Sequence, residues 1–196
     1  MVRRTKAEAE ATRTAILDAA ERLFQARGVS RTSLHDIAQA AGVTRGAVYW
    51  HFQDKGDLFN AMMERAKLPL EEASARLETC DAIAPLARLR ELLVGTLARI
   101  ATDPQMRRVF EVATQKVEYT DELAGVRRRH RQAVQEHQAT IARCLQRAGI
   151  APGHALGLHA LVVGLLHSWM LDPEAFDLAA EGARAIDTLL AALKAG

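Results

Sequence analysis

The stretch SLHDIAQAAGVTRGAVYWHF (Ser33–Phe52) contains two short helical patterns on either side of a turn. Ser33 and Asp36 have the spacing of a capping box, which predicts that a helix begins directly after Ser33. Gly42 turns the chain, and Thr44 then predicts the cap of a second short helix. Two helices joined in this way form a helix-turn-helix, whose second helix fits the DNA major groove. The stretch therefore predicts a small helical head that binds DNA.

Helical patterns also flank this stretch on both sides. Apolar residues with helical spacing precede it, namely Ile16, Leu17, Ala20, Leu23 and Phe24. They predict a first helix over about residues 8–27, which Gly28 ends. Asp54 predicts the cap of a fourth helix that continues toward residue 78, with a kink at Pro69. Three helices thus complete the head, and the fourth leaves it.

The rest of the chain is predicted to be a longer helical body. Its helices are separated at five places, Asp81–Pro85, Asp103–Pro104, Thr120–Glu122, Ala151–Gly153 and Asp172–Pro173. The sequence has no strand-like alternation and no internal repeat. We therefore predict an all-α fold of about nine helices, with a helix-turn-helix DNA-binding domain over residues 1–55 and a ligand-binding and dimerisation domain over residues 56–196.

Composition narrows the class of protein. The chain has 196 residues, of which 49% are hydrophobic and 5% aromatic, and its net charge is only +2. Cys80 and Cys144 lie far apart, which predicts neither a disulfide framework nor a zinc motif. The N-terminus lacks the apolar region of a secretory signal, and no apolar run approaches the roughly 18 residues of a membrane span. We expect a reduced, cytoplasmic protein without membrane contact.

A metal site is not expected. His130, His137 and Cys144 share one helical stripe, but their seven-residue spacing separates neighbours by about 10.5 Å along the axis. The sequence contains no nucleophile–base set and no glycine-rich phosphate loop. We therefore predict neither a cofactor nor enzymatic activity.

The start of the second short helix has the residue types that read DNA. Arg45 can bond a guanine edge with both arms of its guanidinium group. Gly46 lets the backbone approach the duplex, and Thr44 can donate to a phosphate. Further phosphate contacts are predicted at Thr32, Ser33, Tyr49, His51 and Lys55. Arg3 and Arg4 form a basic arm that suits the minor groove.

Some residues near this helix have a simpler interpretation. Trp50 and Phe52 are expected in the apolar core of the head. Basic tails are common on soluble proteins, so the N-terminal arm alone is a weak signal. The arginine-rich run at residues 127–131 spans several faces of one predicted helix. That distribution favours a solvated surface over a second DNA site.

The string AGVTRGAVYWHFQDKGDLF (Ala41–Phe59) resembles the DNA-binding domain of the TetR family of bacterial regulators, in particular AcrR/TtgR-type repressors of multidrug efflux pumps. The resemblance is strong over about residues 1–65 and faint afterward. It implies DNA roles for the matching residues Thr44, Arg45, Gly46, Tyr49, His51 and Lys55. It also implies a homodimer on a near-palindromic, double-stranded operator, with recognition helices about 34 Å apart.

The resemblance further implies a ligand pocket in the body. The segment 108–119 resembles the pocket-lining helix of the efflux regulators, and Phe110, Glu111 and Thr114 are the predicted wall. His137, Val163 and His167 are further candidates for ligand contact. A buried Glu111 would suit a cationic drug, whereas the alternative is an ordinary surface carboxylate.

A dimer interface is expected from the last two predicted helices. Their wide apolar faces include Leu156, Ala160, Gly164, Gly182, Ile186 and Leu189. Paired across a two-fold axis, the helices would make a four-helix bundle. The alternative is that these faces pack only within their own chain.

The predicted function is therefore a ligand-responsive transcriptional repressor of a multidrug efflux operon. Its partners would be operator DNA, a hydrophobic or cationic small-molecule inducer and a second copy of the chain. The alternative is a TetR-type regulator of a metabolic or transport operon that responds to a narrow metabolite or a protein partner.

Overall fold

The computed structural model describes residues 6–65, 84–118, 120 and 123–195. Within these ranges the chain is all-α, as predicted, with nine α-helices and no strand. The helices are α1 (Lys6–Arg27), α2 (Leu34–Ala40), α3 (Arg45–His51), α4 (described over 55–65), α5 (Pro85–Thr102), α6 (Pro104–Gln115), α7 (Ala124–Arg147), α8 (Ala155–Leu171) and α9 (Leu178–Ala195). The predicted arm, the kink at Pro69 and the break at residues 81–83 lie outside the described residues.

Glycine and aspartate residues mark several of the helix boundaries. Gly28 has φ of +85° directly after α1, and Gly42 has φ of +67° between α2 and α3. Both angles lie in the left-handed region, which glycine adopts without steric cost. At the start of α6, Asp103 Oδ1 accepts hydrogen bonds from the backbone N–H groups of Gln105 and Met106. Local chemistry therefore determines these boundaries.

The chain forms two compact units that do not follow sequence order. The first comprises residues 1–66 together with 108–129, and the second comprises residues 67–107 together with 130–196. Helices α6 and α7 therefore contribute residues to both units.

Buried apolar residues of α1, α2, α3 and α4 form the core of the first unit. Phe24 of α1 and Phe59 of α4 pack with their ring centroids 6.2 Å apart. Val48 and Phe52 are both buried, as predicted for Phe52, whereas Trp50 is 73% exposed. The expectation that Trp50 is a core residue is wrong. Val48 and Phe52 are four residues apart on one helical face, so Trp50 lies on the opposite face.

In the second unit, α9 packs against both α5 and α8. Ile186 is fully buried, and Gly182 lies so close to α5 that an added Cβ would overlap Leu97 Cδ1. On the surface of this pair, Arg90 Nη2 donates to Asp187 Oδ2 at 2.8 Å. These contacts join α5 to α9 within one chain.

Helix α8 is more apolar than its neighbours. With the preceding short turn it forms Pro152–Leu171, which by length and composition alone is apolar enough to cross a membrane, at a mean hydropathy of 1.4. The expectation that no stretch is long enough is therefore too strong. Leu158, Leu166 and Trp169 of this helix are buried in the second unit. The core helix of a soluble protein passes the same test, so this length is weak evidence for a membrane span.

Candidate functional site

The predicted capping box is formed at the start of α2. Ser33 Oγ accepts a hydrogen bond from the Asp36 N–H at 3.2 Å, and the Ser33 N–H donates to Asp36 Oδ2 at 2.9 Å. The hydroxyl of Ser33 also donates to the same carboxylate. These hydrogen bonds from Ser33 lower the pKa of Asp36 because they stabilise its charged form. The box holds the first turn of α2 in place.

Helix α3 carries an arginine–tyrosine pair on its exposed face. Thr44 caps the helix by accepting from the Ala47 N–H at 3.2 Å. One turn along, Arg45 Nη2 donates to the Tyr49 hydroxyl at 3.2 Å, and the Arg45 guanidinium lies 5.3 Å from the centre of the Tyr49 ring. The hydrogen bond to Tyr49 raises the pKa of Arg45. Arg45 is therefore held in position before any DNA is bound.

A cleft of about 440 Å³ opens beside this pair, between the start of α2, helix α3 and the start of α4. Of the residues predicted to contact DNA, five line the cleft: Thr32, Ser33, Arg45, Tyr49 and Lys55. Thr44 and Gly46 are exposed on α3, and His51 is half-buried beside Trp50. Arg3 and Arg4 lie outside the described residues.

Two of the cleft residues serve the architecture of the head. Thr32 is 1% exposed, and its hydroxyl donates to the Gly28 carbonyl at 2.8 Å. The Thr32 hydroxyl therefore closes the turn between α1 and α2, and a phosphate contact at this residue stays a prediction. Lys55 is 7% exposed, and its Nζ donates to the Ser30 carbonyl at 3.3 Å. Lys55 thereby joins the start of α4 to the same turn.

The predicted wall of the ligand pocket falls in the first unit. Glu111 is half-buried, and its Oε2 accepts from Gln25 Nε2 of α1 at 2.6 Å. Lys116 Nζ lies 3.9 Å from the other oxygen of the same carboxylate. Thr114 is exposed and donates to the Phe110 carbonyl at 2.7 Å. The carboxylate of Glu111 therefore faces α1 and is already hydrogen-bonded to a side chain of the same protein.

The remaining predicted ligand contacts belong to the second unit. His137 is exposed on α7, while Val163 and His167 are exposed on α8. Seven and eleven residues are close to whole helical turns, so Val163 and His167 lie on the same face as Leu156.

An exposed stripe of α8, which we call the α8 apolar face, consists of Leu156, Ala160, Val163, Gly164 and Leu171. Leu156 and Leu171 are 63% and 69% exposed. Leu189 of α9 is half-buried, but Gly182 and Ile186 are buried against their own chain. Of the residues predicted for a dimer interface, those on α8 are the ones that offer apolar surface.

Comparison with known proteins identifies the family. Residues 16–62 match the family model described as bacterial regulatory proteins, tetR family. Residues 84–195 match the model described as MAATS-type transcriptional repressor, C-terminal region. The chain belongs to the TetR family. This result confirms the resemblance that residues 41–59 indicate, and it extends the relationship through the body.

Relatives match this TetR-family chain along nearly its whole length. The HTH-type transcriptional regulator TtgR of Pseudomonas putida is 38% identical over 99% of this chain and 97% of its own. The HTH-type transcriptional repressor BepR of Brucella suis is 39% identical over the same shares. The family and these relatives are transcriptional regulators, which are not enzymes.

Solved structures agree in fold. The crystal structure of NalD, the secondary repressor of the MexAB-OprM multidrug efflux pump in Pseudomonas aeruginosa, has a TM-score of 0.87 at 37% identity and covers 96% of this chain and 98% of its own. A complex of SmeT with triclosan has a TM-score of 0.82 at 35% identity, covering 93% and 91%. SmeT is the repressor of the Stenotrophomonas maltophilia multidrug efflux pump SmeDEF.

The cleft of this TetR-family head also contains residues that the sequence interpretation missed. Arg31, His35 and Gln53 line it beside Arg45, and all three are exposed. Arg31 and His35 lie within two residues of Ser33, so their position at the start of α2 was a usable signal. Gln53 lies in the short link between α3 and α4, where helical periodicity does not predict which way a side chain points.

The end of α6 is joined to the turn between α1 and α2. The Val29 N–H donates to the Lys116 carbonyl at 3.0 Å, and Ser30 Oγ donates to Glu118 Oε2 at 2.9 Å. The Ser30 carbonyl is the group that accepts from Lys55. The residues that follow α6 are therefore hydrogen-bonded to the turn that precedes the cleft.

Proposed function

We propose that this TetR-family protein is a repressor of a multidrug efflux operon and that a lipophilic or cationic small molecule releases it from its operator. The observation that carries the proposal is the full-length similarity to NalD and SmeT, both named as repressors of multidrug efflux pumps. Relatives of this kind do not favour the alternative of a narrow metabolite or protein partner.

DNA recognition is proposed to centre on Arg45. Its guanidinium is exposed and preoriented by Tyr49, which suits bidentate bonding to a guanine edge. Thr44, Gly46, Tyr49 and His51 are proposed to contact phosphates or to let the backbone approach them. Ser33 and Lys55 border the same cleft and are assigned to phosphates on its other side.

The functional form is proposed to be a cytoplasmic homodimer that uses the α8 apolar face. This face leaves two large leucine side chains mostly exposed, and burying apolar surface is the main driving force of association. Two-fold symmetry would present two recognition helices to successive major grooves of a near-palindromic operator. Val163 and His167 lie on this face, so we assign them to the interface.

Induction is proposed to act through α6. A small molecule that binds the body better in one conformation shifts the protein toward that conformation. Because Lys116 and Glu118, which follow α6, are bonded to Val29 and Ser30, we propose that a displacement of α6 changes the cleft that Arg45 lines. The coupling is reciprocal, so operator DNA must weaken drug binding by the same factor.

The test is fluorescence anisotropy of the full chain on labelled DNA from upstream of its own gene and its neighbours. We expect selective binding to one of these duplexes over unrelated DNA, and loss of that selectivity for Arg45→Ala. The matched control is Arg99→Ala, which removes an exposed arginine from α5. Added triclosan, the ligand in the SmeT complex, should then lower the affinity for the selected duplex. Drug binding that leaves this affinity unchanged would refute the proposed induction.

A further inference from the structure

Helix α7 begins with an arginine cluster that the proposed DNA interface does not use. Residues 127, 128, 129 and 131 are all arginine and all exposed. Arg129 forms an ion pair with Glu64 of α4. Arg127 and Arg128, by contrast, have no hydrogen-bond or ion-pair partner among the residues that the structure describes. We call these two residues the α7 arginine patch.

The patch lies in the same compact unit as the DNA-binding head. The residue before it, Val126, is 2% exposed and packs at the start of α4. A Cβ placed on Gly56 would lie 3.6 Å from Val126 Cγ2, and Gly56 directly follows Lys55 of the cleft. The arginines therefore begin one residue beyond a contact with the DNA-facing end of α4.

The charge of the patch lies near the start of α7. The first turn of this helix contains no acidic residue, and its backbone N–H groups form the positive end of the helix dipole. The arginine side chains and the helix terminus therefore attract an anion together. The duplex that the neighbouring head is proposed to bind is such an anion.

We propose that Arg127 and Arg128 bind backbone phosphates of the operator duplex, beyond the base pairs that α3 reads. The inference rests on the proposed function and extends its DNA interface from the cleft along the start of α4 to α7. A duplex offers roughly one negative charge per 1.7 Å of axis, so phosphates continue on both sides of the bases that are read. Such contacts add affinity and salt dependence but carry no sequence information.

The experiment measures operator affinity against salt concentration for the full chain and for the double variant Arg127→Gln/Arg128→Gln. Each phosphate contact contributes roughly 0.9 to the slope of log K against log salt. We expect the magnitude of the slope to fall by roughly 0.9 for each contact removed, with an unchanged ratio of operator to unrelated-DNA affinity. Lengthening the duplex flanks should increase the affinity of the unmodified protein but not that of the variant.

Two controls make the result specific. Arg143→Gln/Arg147→Gln removes the same charge from exposed positions near the other end of α7 and should leave the slope unchanged. Arg127→Lys/Arg128→Lys keeps the charge and should retain most of the slope. An unchanged slope for the glutamine variant, or an equal loss in the distal control, would overturn the inference. Arg45→Ala separates this inference from the proposed function. If Arg45→Ala loses selectivity while the glutamine variant keeps the salt slope of the unmodified protein, only the phosphate contacts of Arg127 and Arg128 are refuted.

Discussion

At the scale of single residues, Arg45, the arginine proposed to read DNA, is already held in place by Tyr49. The Tyr49 ring lies under the Arg45 guanidinium while its hydroxyl accepts a hydrogen bond from the same group. Ordering a long side chain on binding costs conformational entropy, so an arginine that is already held loses less of it. Tyr49 is thus a positioning residue for Arg45 as well as a candidate phosphate contact.

Substitutions at Tyr49 separate its two contributions. Tyr49→Phe keeps the ring and removes the hydroxyl, so operator affinity should fall by roughly two- to tenfold, the range of one hydrogen bond. Tyr49→Ala also removes the ring and should cost more. Anisotropy titrations on operator and unrelated DNA would check both values. Equal effects of the two substitutions would show that the ring contributes nothing.

The Ser33–Asp36 capping box makes stability depend on pH in a defined direction. Its hydrogen bonds lower the pKa of Asp36 below the ordinary value of 3.8. A carboxyl with a lowered pKa stabilises the folded state above its unfolded value and loses this contribution as pH falls through the folded value. We expect the wild type to unfold at higher urea than Asp36→Asn above pH 4, and the difference to shrink below it. A difference that grows on acidification would contradict this assignment.

At the scale of elements, α1 acts as the common anchor of the head. Arg65 of α4 bonds both Asp18 and Glu21 of α1, at 2.6 and 2.7 Å. Arg108 of α6 lies 3.8 Å from the second oxygen of Glu21, and Gln25 one turn later bonds Glu111 of the same helix. Helix α1 therefore connects to α4 and to the second half of α6 through neighbouring side chains.

The two carboxylates that bond Arg65 differ in burial and therefore in their contribution. The Glu21 side chain is 3% exposed, whereas that of Asp18 is 46% exposed. Glu21→Ala removes the buried carboxylate and leaves Arg65 with the exposed Asp18 alone, so it should lower the free energy of unfolding by about 2 kcal/mol, the range of a hydrogen bond to a charged group. Asp18→Ala should cost less than about 1 kcal/mol. Urea denaturation of both variants is the measurement, and similar losses would contradict the burial argument.

At the scale of the whole molecule, α8 and α9 differ in how much of their apolar surface is buried within the single chain. Helix α9 packs against α5 and α8, and its Gly182 and Ile186 are buried within the single chain. The α8 apolar face remains uncovered in the single chain. A second copy is the proposed cover, because a two-fold axis pairs the same patch with itself.

Charge on the α8 apolar face should dissociate the proposed dimer. Leu156→Glu/Val163→Glu places two carboxylates where apolar surface would be buried, which is costly without a partner for each charge. Analytical ultracentrifugation should then report a monomer, and operator affinity should fall with it. Gln135→Glu on the exposed surface of α7 is the control and should remain dimeric. A dimeric double variant would exclude this face as the interface.

Local sequence patterns are sufficient to predict most helices of this protein and several of their ends. Helical periodicity, Gly28 and Gly42, and the Ser33–Asp36 pair all depend on residues within one or two turns of each other, so they can be recognised without the fold. The motif over residues 41–59 determined the family in the same way. Exposure of Arg45 also follows from its position on one short helix.

Local patterns do not predict which helix faces are covered or which polar side chains bond to each other, because both depend on packing between distant parts of the chain. Glu111 bonds Gln25 from 86 residues away, so no local pattern distinguishes it from a pocket carboxylate. Ile186 and Leu156 both belong to apolar stripes with helical spacing, yet Ile186 is buried in the single chain and Leu156 is 63% exposed. Trp50 is exposed because the core of the head accepts only one face of α3. Burial depends on the partner that packs on a face, and that partner is set by distant parts of the chain.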